Sequence, residues 1–343
     1  MKASPADARR HWLARLEDGW QAWRQRRGLR RGLVPTVIPF AGYGTEDWVR
    51  VLGRVVLRRP GAAPVDRFTN IRGWRSFISI PLGDIEVEVV AGGEQRTIRS
   101  DRGGVLDATI QVRMPRGWVA ITLRAAGDEA EAPVFVVEDG VGFGVVSDVD
   151  DTVMVTALPR PLLAAWNTFV LDEHARRPVP GMAVLYTRLQ QAHPGAPFIY
   201  LSTGAWNVVP TLTRFLERNL YPRGSLLLTD WGPTHDRWFR SGSAHKAESL
   251  ERLATEFPRM RWLLIGDDGQ HDEQIYGDFA TAHPGNVAAV AIRRLTPGEA
   301  VLAGGRSDAE THDLGRTRWV YGDDGAALMV KLENLGLLPT GPA

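Results

Sequence analysis

Val145-Val146-Ser147-Asp148-Val149-Asp150-Asp151-Thr152-Val153 is an apolar strand end that delivers two acids two positions apart, a third beside them, and then a threonine. Three carboxylates at one strand terminus repel each other and raise each other's pKa unless a cation or a proton stands between them. The stretch also divides the chain by period. Before it, apolar residues alternate in short runs over Trp48 to Leu57, Glu86 to Val90, Gln95 to Ile98, Ala108 to Val112, Trp118 to Leu123 and Val134 to Val137. Turn chemistry such as Ala91-Gly92-Gly93 and Pro115-Arg116-Gly117 separates them, so a small antiparallel β-sandwich is expected. After it, apolar strands interleave with helical patterns. The strands are Gly144 to Asp148, Phe198 to Thr203, Ser225 to Thr229, Arg261 to Gly266 and Val287 to Arg293. Helical spacing covers Pro161 to Glu173, Gly181 to Ala192, Ala205 to Arg218, Ala244 to Phe257, Asp272 to Ala282 and Gly325 to Leu335. This alternation predicts an α/β fold with a doubly wound parallel sheet.

At the N-terminus, Trp12, Leu16, Trp20 and Trp23 fall at helical spacing among Arg9, Arg10, Arg15, Arg24, Arg26 and Arg27, the pattern of a basic amphipathic helix. Three regions follow: this helix at 1–32, the sandwich at 33–139 and the α/β domain at 140–338. The 343 residues are 44% hydrophobic and 24% charged, enough for two cores, and the formal net charge of +1 gives no reason to expect a nucleic-acid partner. No cysteine is present, which excludes disulfides, thiolate chemistry and cysteine-ligated zinc and leaves Asp, Glu, His and backbone oxygens as metal ligands, a set that favours hard cations such as Mg²⁺. No run approaches the roughly 20 apolar residues needed to cross a bilayer, and the first ten residues lack the apolar core of a secretory signal. A cytoplasmic protein, at most peripheral at the inner membrane surface, is expected.

A ligand site in such a sheet shows as polar residues closing apolar strands. Asp148-Val149-Asp150-Asp151-Thr152 closes the first strand, Ser202-Thr203-Gly204 the second, and Gly266-Asp267-Asp268-Gly269-Gln270-His271-Asp272 the fourth, while His245-Lys246 opens a helix. His235, His245 and His271 fit no compact metal site and are expected to be structural. The lone glycine alternation from Gly140 to Gly144 precedes its strand, which disfavours a dinucleotide site.

The ordered foursome resembles the signature motifs of the haloacid dehalogenase phosphotransferase superfamily. The wording around it, notably Tyr200-Leu201-Ser202-Thr203-Gly204-Ala205-Trp206, Leu228-Thr229-Asp230-Trp231-Gly232 and Leu264-Ile265-Gly266-Asp267-Asp268, is similar to the actin-patch-associated phosphatidate phosphatase family over about residues 140 to 300. Where that family usually carries a serine-rich triplet, this chain has Ser202-Thr203-Gly204. The resemblance implies a Mg²⁺-dependent phosphatase that attacks a phosphate monoester through Asp148 and forms an aspartyl-phosphate, with Asp150 as acid and base. It implies Mg²⁺ held by Asp148, the Asp150 carbonyl and Asp267, with Asp268 as the rival to Asp267. Ser202 and Lys246 would hold the phosphate with Thr152, Thr203 and Gly204, and Asp272 would support the metal waters or the lysine.

The substrate implied is a lipid phosphate, phosphatidate, yielding diacylglycerol. An apolar rim from Leu162, Leu163, Trp166, Phe169, Trp231, Trp238 and Phe239 would suit peripheral membrane contact, as would the N-terminal helix. The same aromatics would equally pack the domains together, and Arg237 and Arg240 would either meet the headgroup phosphate or be solvated. A small soluble phosphomonoester, or a scaffold role with a vestigial site, are the competing readings.

Overall fold

In the computed structural model the described residues are 19–20, 23–61, 80–155, 177–229, 235–269, 271–303 and 317–341. Nine strands precede residue 140: β1 (Val34–Pro39), β2 (Gly42–Thr45), β3 (Trp48–Arg58), β4 (Ile80–Pro81), β5 (Glu86–Ala91), β6 (Glu94–Arg99), β7 (Val105–Gln111), β8 (Gly117–Ala125) and β9 (Asp128–Val137). They form a single hydrogen-bonded sheet with the path β1-β3-β2-β9-β8-β5-β6, to which β4 and β7 attach through β3. All its pairings are antiparallel except β2 with β9, which run parallel. Pro35 and Pro39 sit on β1, at the edge, where a missing N–H disturbs no inner ladder.

The following strands are β10 (Phe143–Asp148), a small hairpin of β11 (Met154–Val155) and β12 (Arg177–Pro178), then β13 (Phe198–Ala205), β14 (Ser225–Thr229), β15 (Arg261–Asp267), β16 (Val287–Arg293) and β17 (Trp319–Gly322). Six of them make a second, separate parallel sheet in the order β14-β13-β10-β15-β16-β17. Its central strands are buried almost end to end, as continuous apolar runs require. The helices are α1 (Met182–Ala192), α2 (Val209–Arg218), α3 (His235–Glu256), α4 (Asp272–Ala282), α5 (Pro297–Ala303) and α6 (Gly325–Asn334).

The architecture corrects the expected class. The chain is a mixed, sheet-rich α/β fold whose larger sheet is antiparallel-dominated, and it is not a doubly wound sheet of haloacid-dehalogenase type preceded by a sandwich. The eleven-residue β3 pairs with β1, β2, β4 and β7 along its length. Strands that alternation suggests as two layers are thereby joined into one ladder. Alternation says which side chains face inward, not how many layers the strands form. The helix expected over Pro161 to Glu173 lies outside the described residues, as do residues 1–18 of the N-terminal helix; residues 23–30 are helical.

The two sheets share a core. Phe40, Tyr43, Leu52, Val105 and Val137 belong to the same buried cluster as Val145, Trp206, Phe257 and Trp262. Phe40 stacks on Trp206 at 5.4 Å, and Trp48 meets Phe257 at 5.4 Å. The Tyr43 hydroxyl, whose pKa burial pushes far up, donates to Glu256 Oε2 at 2.7 Å, and Arg50 Nε lies 3.3 Å from Glu256 Oε1. Ser225 Oγ donates to the Gly42 carbonyl at 3.0 Å.

Candidate active site

Three parallel strands end at one cluster. β10 delivers Asp148, which is 1% exposed. Ser147 Oγ donates to the Asp148 carbonyl at 2.6 Å and lies 2.6 Å from the Tyr186 hydroxyl of α1. With its one proton committed, Ser147 accepts from the tyrosine, so the strand end is pinned from below. Beyond it the chain turns back: Val153 and Met154 N–H both bond the Val149 carbonyl, and Asp151 adopts φ of 58°. A non-glycine residue there is strained, and Arg293 Nη1 holds the Asp151 carbonyl at 2.6 Å.

β13 continues two residues past the expected end at Thr203, to Ala205. Its register on β14 shifts between Leu201 and Ala205, and this irregularity carries Ser202, Thr203 and Gly204. Ser202 Oγ donates to Asp150 Oδ2 at 3.1 Å and accepts from the Gly204 N–H at 3.0 Å. Thr203 contributes its carbonyl to Thr229 Oγ1 at 3.0 Å.

β15 ends at Asp267, whose Oδ1 accepts from the Gly269 N–H at 2.7 Å while Oδ2 accepts from Thr152 Oγ1 at 3.4 Å. Asp272 opens α4, and its Oδ2 accepts from the Asp267 N–H at 3.4 Å. That approach depends on Gly266, because a Cβ there would lie 2.5 Å from Asp272 Oδ2. Lys246, on α3 and 7% exposed, reaches Asp148 Oδ1 at 2.6 Å and Asp272 Oδ1 at 2.5 Å. Asp268 faces away: its Oδ1 accepts from the Leu295 N–H at 2.7 Å and its N–H donates to the Arg293 carbonyl.

Carboxylate oxygens of Asp148, Asp267 and Asp272 lie within 4.8 Å of one another, all buried. Asp148 Oδ2 and Asp150 Oδ1 receive no hydrogen bond, and Asp148 Oδ1 meets only the Lys246 ammonium. Buried carboxylate oxygens without donors, near two further acids, suit a hard divalent cation, so the residues present fit Mg²⁺. The electrostatics agree. Burial raises Asp148 well above the usual carboxylate range; Lys246 opposes this, and Asp272, Asp150 and Asp267 add to it. Asp267 is raised likewise by burial, then by Asp272 and Asp151. Asp150 is pushed up to about 6, chiefly by burial, with Lys246 and the Ser202 hydrogen bond pulling against it. Burial opposes the Lys246 charge, but Asp148 and Asp272 override it and hold the ammonium protonated.

Of the residues expected from sequence, Asp148, Asp150, Thr152, Ser202, Lys246, Asp267 and Asp272 converge. Asp268 is committed to the β16 end, and the Thr203 contact is through its backbone. His245 is half-buried and its charged form is disfavoured, while the side chains of His235, Arg237, Trp238, Phe239 and Arg240 are not described and Leu162, Leu163, Trp166, Phe169 and Trp231 lie outside the described residues. Arg293 was missed. It closes the apolar run Val287–Ile292, the same signal that marks the acids, and it sits 3% exposed with a two-pronged pair to Glu299 at 2.9 Å.

Residues 143–294 match the family model described as phosphatidate phosphatase APP1, catalytic domain. The matched segment runs from the start of β10 to just past β16 and contains Asp148, Asp150, Ser202, Lys246, Asp267 and Asp272. It is 23% identical over 173 residues to phosphatidate phosphatase APP1 of Saccharomyces cerevisiae, covering 50% of this chain and 28% of that protein. It is 26% identical over 165 residues to an uncharacterized protein of Schizosaccharomyces pombe, covering 48% of this chain and 26% of that one. The chain therefore spans little more than a quarter of the curated relatives it matches. Among solved structures, a carbohydrate acetylesterase from Xanthomonas citri aligns over 88% of this chain and 74% of its own with 9% identity and a TM-score of 0.31, a likeness too slight to bear on function. Among the described residues no helix is long and apolar enough to cross a membrane.

Proposed function

We propose that this protein is a Mg²⁺-dependent phosphatase that hydrolyses a lipid phosphate, phosphatidate, to diacylglycerol and phosphate through an aspartyl-phosphate on Asp148. The observation that carries the reading is the buried cluster itself: Asp148, Asp267 and Asp272 around Lys246, with Asp150 beside them, inside the segment that matches a phosphatidate phosphatase catalytic domain. Mg²⁺, when held by Asp148, Asp267 and Asp272, supplies the positive charge that lets a dianionic phosphate approach three carboxylates.

The chain's own groups do the rest. An Asp148 oxygen attacks phosphorus while the ester oxygen leaves, and Asp150 gives that oxygen its proton. A carboxyl group with pKa near 6 is protonated often enough to do so and basic enough to take a proton back. Asp150 then removes a proton from the water that attacks phosphorus, the bond to Asp148 breaks, and free phosphate departs. Ser202 holds Asp150 for both steps. Lys246 orients Asp148 and offers its charge to the phosphate oxygens, which Thr152 and the Ser202–Gly204 backbone would also meet. In this reading residues 140–338 are the catalytic domain and 33–139 an accessory β domain packed against it.

The test is turnover by purified protein with Mg²⁺ on phosphatidate in mixed micelles and on sugar, nucleotide and aryl phosphates, with Asp148→Asn as the blank. Preference for phosphatidate supports the whole reading. Preference for a water-soluble ester removes the lipid assignment, and equal inactivity of both proteins on every ester removes the phosphatase. Beryllofluoride with Mg²⁺ should form its adduct on Asp148; an adduct elsewhere would move the nucleophile.

A further inference from the structure

One face of the N-terminal helix is already used. Gln25 Nε2 donates to the Pro81 carbonyl at 2.9 Å, and Gly28 is buried where a Cβ would come within 3.0 Å of Ile80 Cδ1 and Leu57 Cδ1. Leu33 then packs on the core of the nine-stranded sheet. The helix is therefore seated on the β3–β4 edge by positions 25 and 28, three apart on one face.

The other face is unlike the rest of the described surface. Trp20 and Trp23 are 58% and 53% exposed, and the large hydrophobics exposed among the described residues include no other aromatic. Half of those exposed hydrophobics, Trp20, Trp23, Leu29 and Val34, fall within fifteen residues of sequence. Arg24 stacks over Trp20 at 4.6 Å and Arg27 over Trp23 at 5.3 Å, so positions 20, 23, 24 and 27 make one stripe of two indoles and two guanidinium groups. Arg26, Arg30 and Arg31 are exposed beside it.

Charge is concentrated in the same place. From Gly19 to Thr45 the chain has five arginines and no acid, a local charge of +5 in a protein whose total is +1, leaving −4 for the remainder. Among the described residues none of the five has a carboxylate partner.

We infer that this Trp/Arg face is a docking surface for an anionic lipid bilayer. Indole rings settle at the boundary between headgroups and acyl chains, and arginines beside them meet anionic headgroups while their stems cover apolar surface. A nucleic acid would use the arginines but gives projecting, helically spaced indoles no such boundary. The anchor on β3 and β4 makes the surface part of the folded protein, so binding brings the whole molecule to the bilayer. The inference stands apart from the phosphatase reading.

The test is sedimentation of the full chain with phosphatidylcholine vesicles, with and without phosphatidylglycerol, so that no phosphatidate is present to engage the active site. The wild type should sediment with the anionic vesicles and be released by salt. Trp20→Ala/Trp23→Ala and Arg26→Gln/Arg27→Gln/Arg30→Gln should each weaken binding about ten-fold or more, with unchanged thermal midpoints and unchanged hydrolysis of a soluble aryl phosphate. Wild-type-like binding by both variants, equal binding to neutral vesicles, or binding of duplex DNA in place of vesicles would overturn it. Loss of vesicle binding in the variants alongside no aryl phosphatase activity in any protein would support the surface and sink the catalytic reading alone.

Discussion

Replacing Asp267 with Asn should make the metal-free protein more stable and the Mg²⁺-loaded protein less so. The Asp267 carboxylate lies within 4.8 Å of oxygens of Asp148 and Asp272, all three groups buried. At that distance and an effective dielectric constant near 20, two unit charges repel by about 3.5 kcal/mol. Lys246 offsets part of this through its pairs with Asp148 and Asp272, and partial protonation of the raised Asp267 relieves more. About 2 kcal/mol of repulsion remains to be released, or roughly 3 °C in Tm for a chain of this size. Asparagine keeps an oxygen for the Gly269 N–H, so the local turn is preserved. Mg²⁺ reverses the order. At free metal about 100 times Kd the wild type gains about 2.7 kcal/mol, whereas the variant, with one of three carboxylates gone, gains much less. Thermal melts of both proteins in EDTA and in Mg²⁺ should therefore cross. If Asp267→Asn is the less stable protein in EDTA, or if Mg²⁺ raises both melts equally, the buried acids are not a cation site held together at the expense of stability.

Arg293 positions the loop that carries Asp150, so Arg293→Met should lower kcat about ten-fold with little change in KM, and Arg293→Lys should recover part of the loss; a rise in KM alone would place the arginine at substrate instead. His245 is held neutral, its pKa depressed to about 4 mainly by burial, against about 6.5 in an unfolded chain. The unfolded state binds the proton first, so this contribution is whole above pH 6.5 and is lost as pH falls toward 4, amounting to no more than about 3 kcal/mol. Urea midpoints of His245→Gln should fall less over that window than those of the wild type, and parallel curves would show that the histidine is not the titrating group.

The site was legible in the sequence wherever an apolar strand closes abruptly in charge, because a buried run ending in acid has few structural uses. That rule brings together Asp148, Asp150, Asp267 and Asp272, and it would have found Arg293 had it been applied to a cation. What the rule does not carry is partnership. Ser202 was expected on the phosphate; its hydroxyl donates to Asp150, a partnership that spacing does not encode, and it lies where the β13 register shifts. Asp267 and Asp268 are equivalent as sequence and opposite as structure, since one side chain meets Thr152 and the other the Leu295 N–H. The sheet before residue 140 failed at a larger scale. Its strands were mostly found, but β1, β2, β4 and the branching at β3 depend on pairings between distant segments, such as Gly42 with Val134.

Helix α3 has its two ends in different hands. Lys246 reaches Asp148 and Asp272, and three turns further on, about 15 Å along the axis, Glu256 is gripped by Tyr43 and Arg50 of the antiparallel sheet. The helix is thus a lever with its fulcrum outside the segment that carries the chemistry. On the proposed mechanism, a substitution at Tyr43 or Arg50 should loosen the hold on Glu256 and change turnover without altering any residue placed at the reacting phosphate.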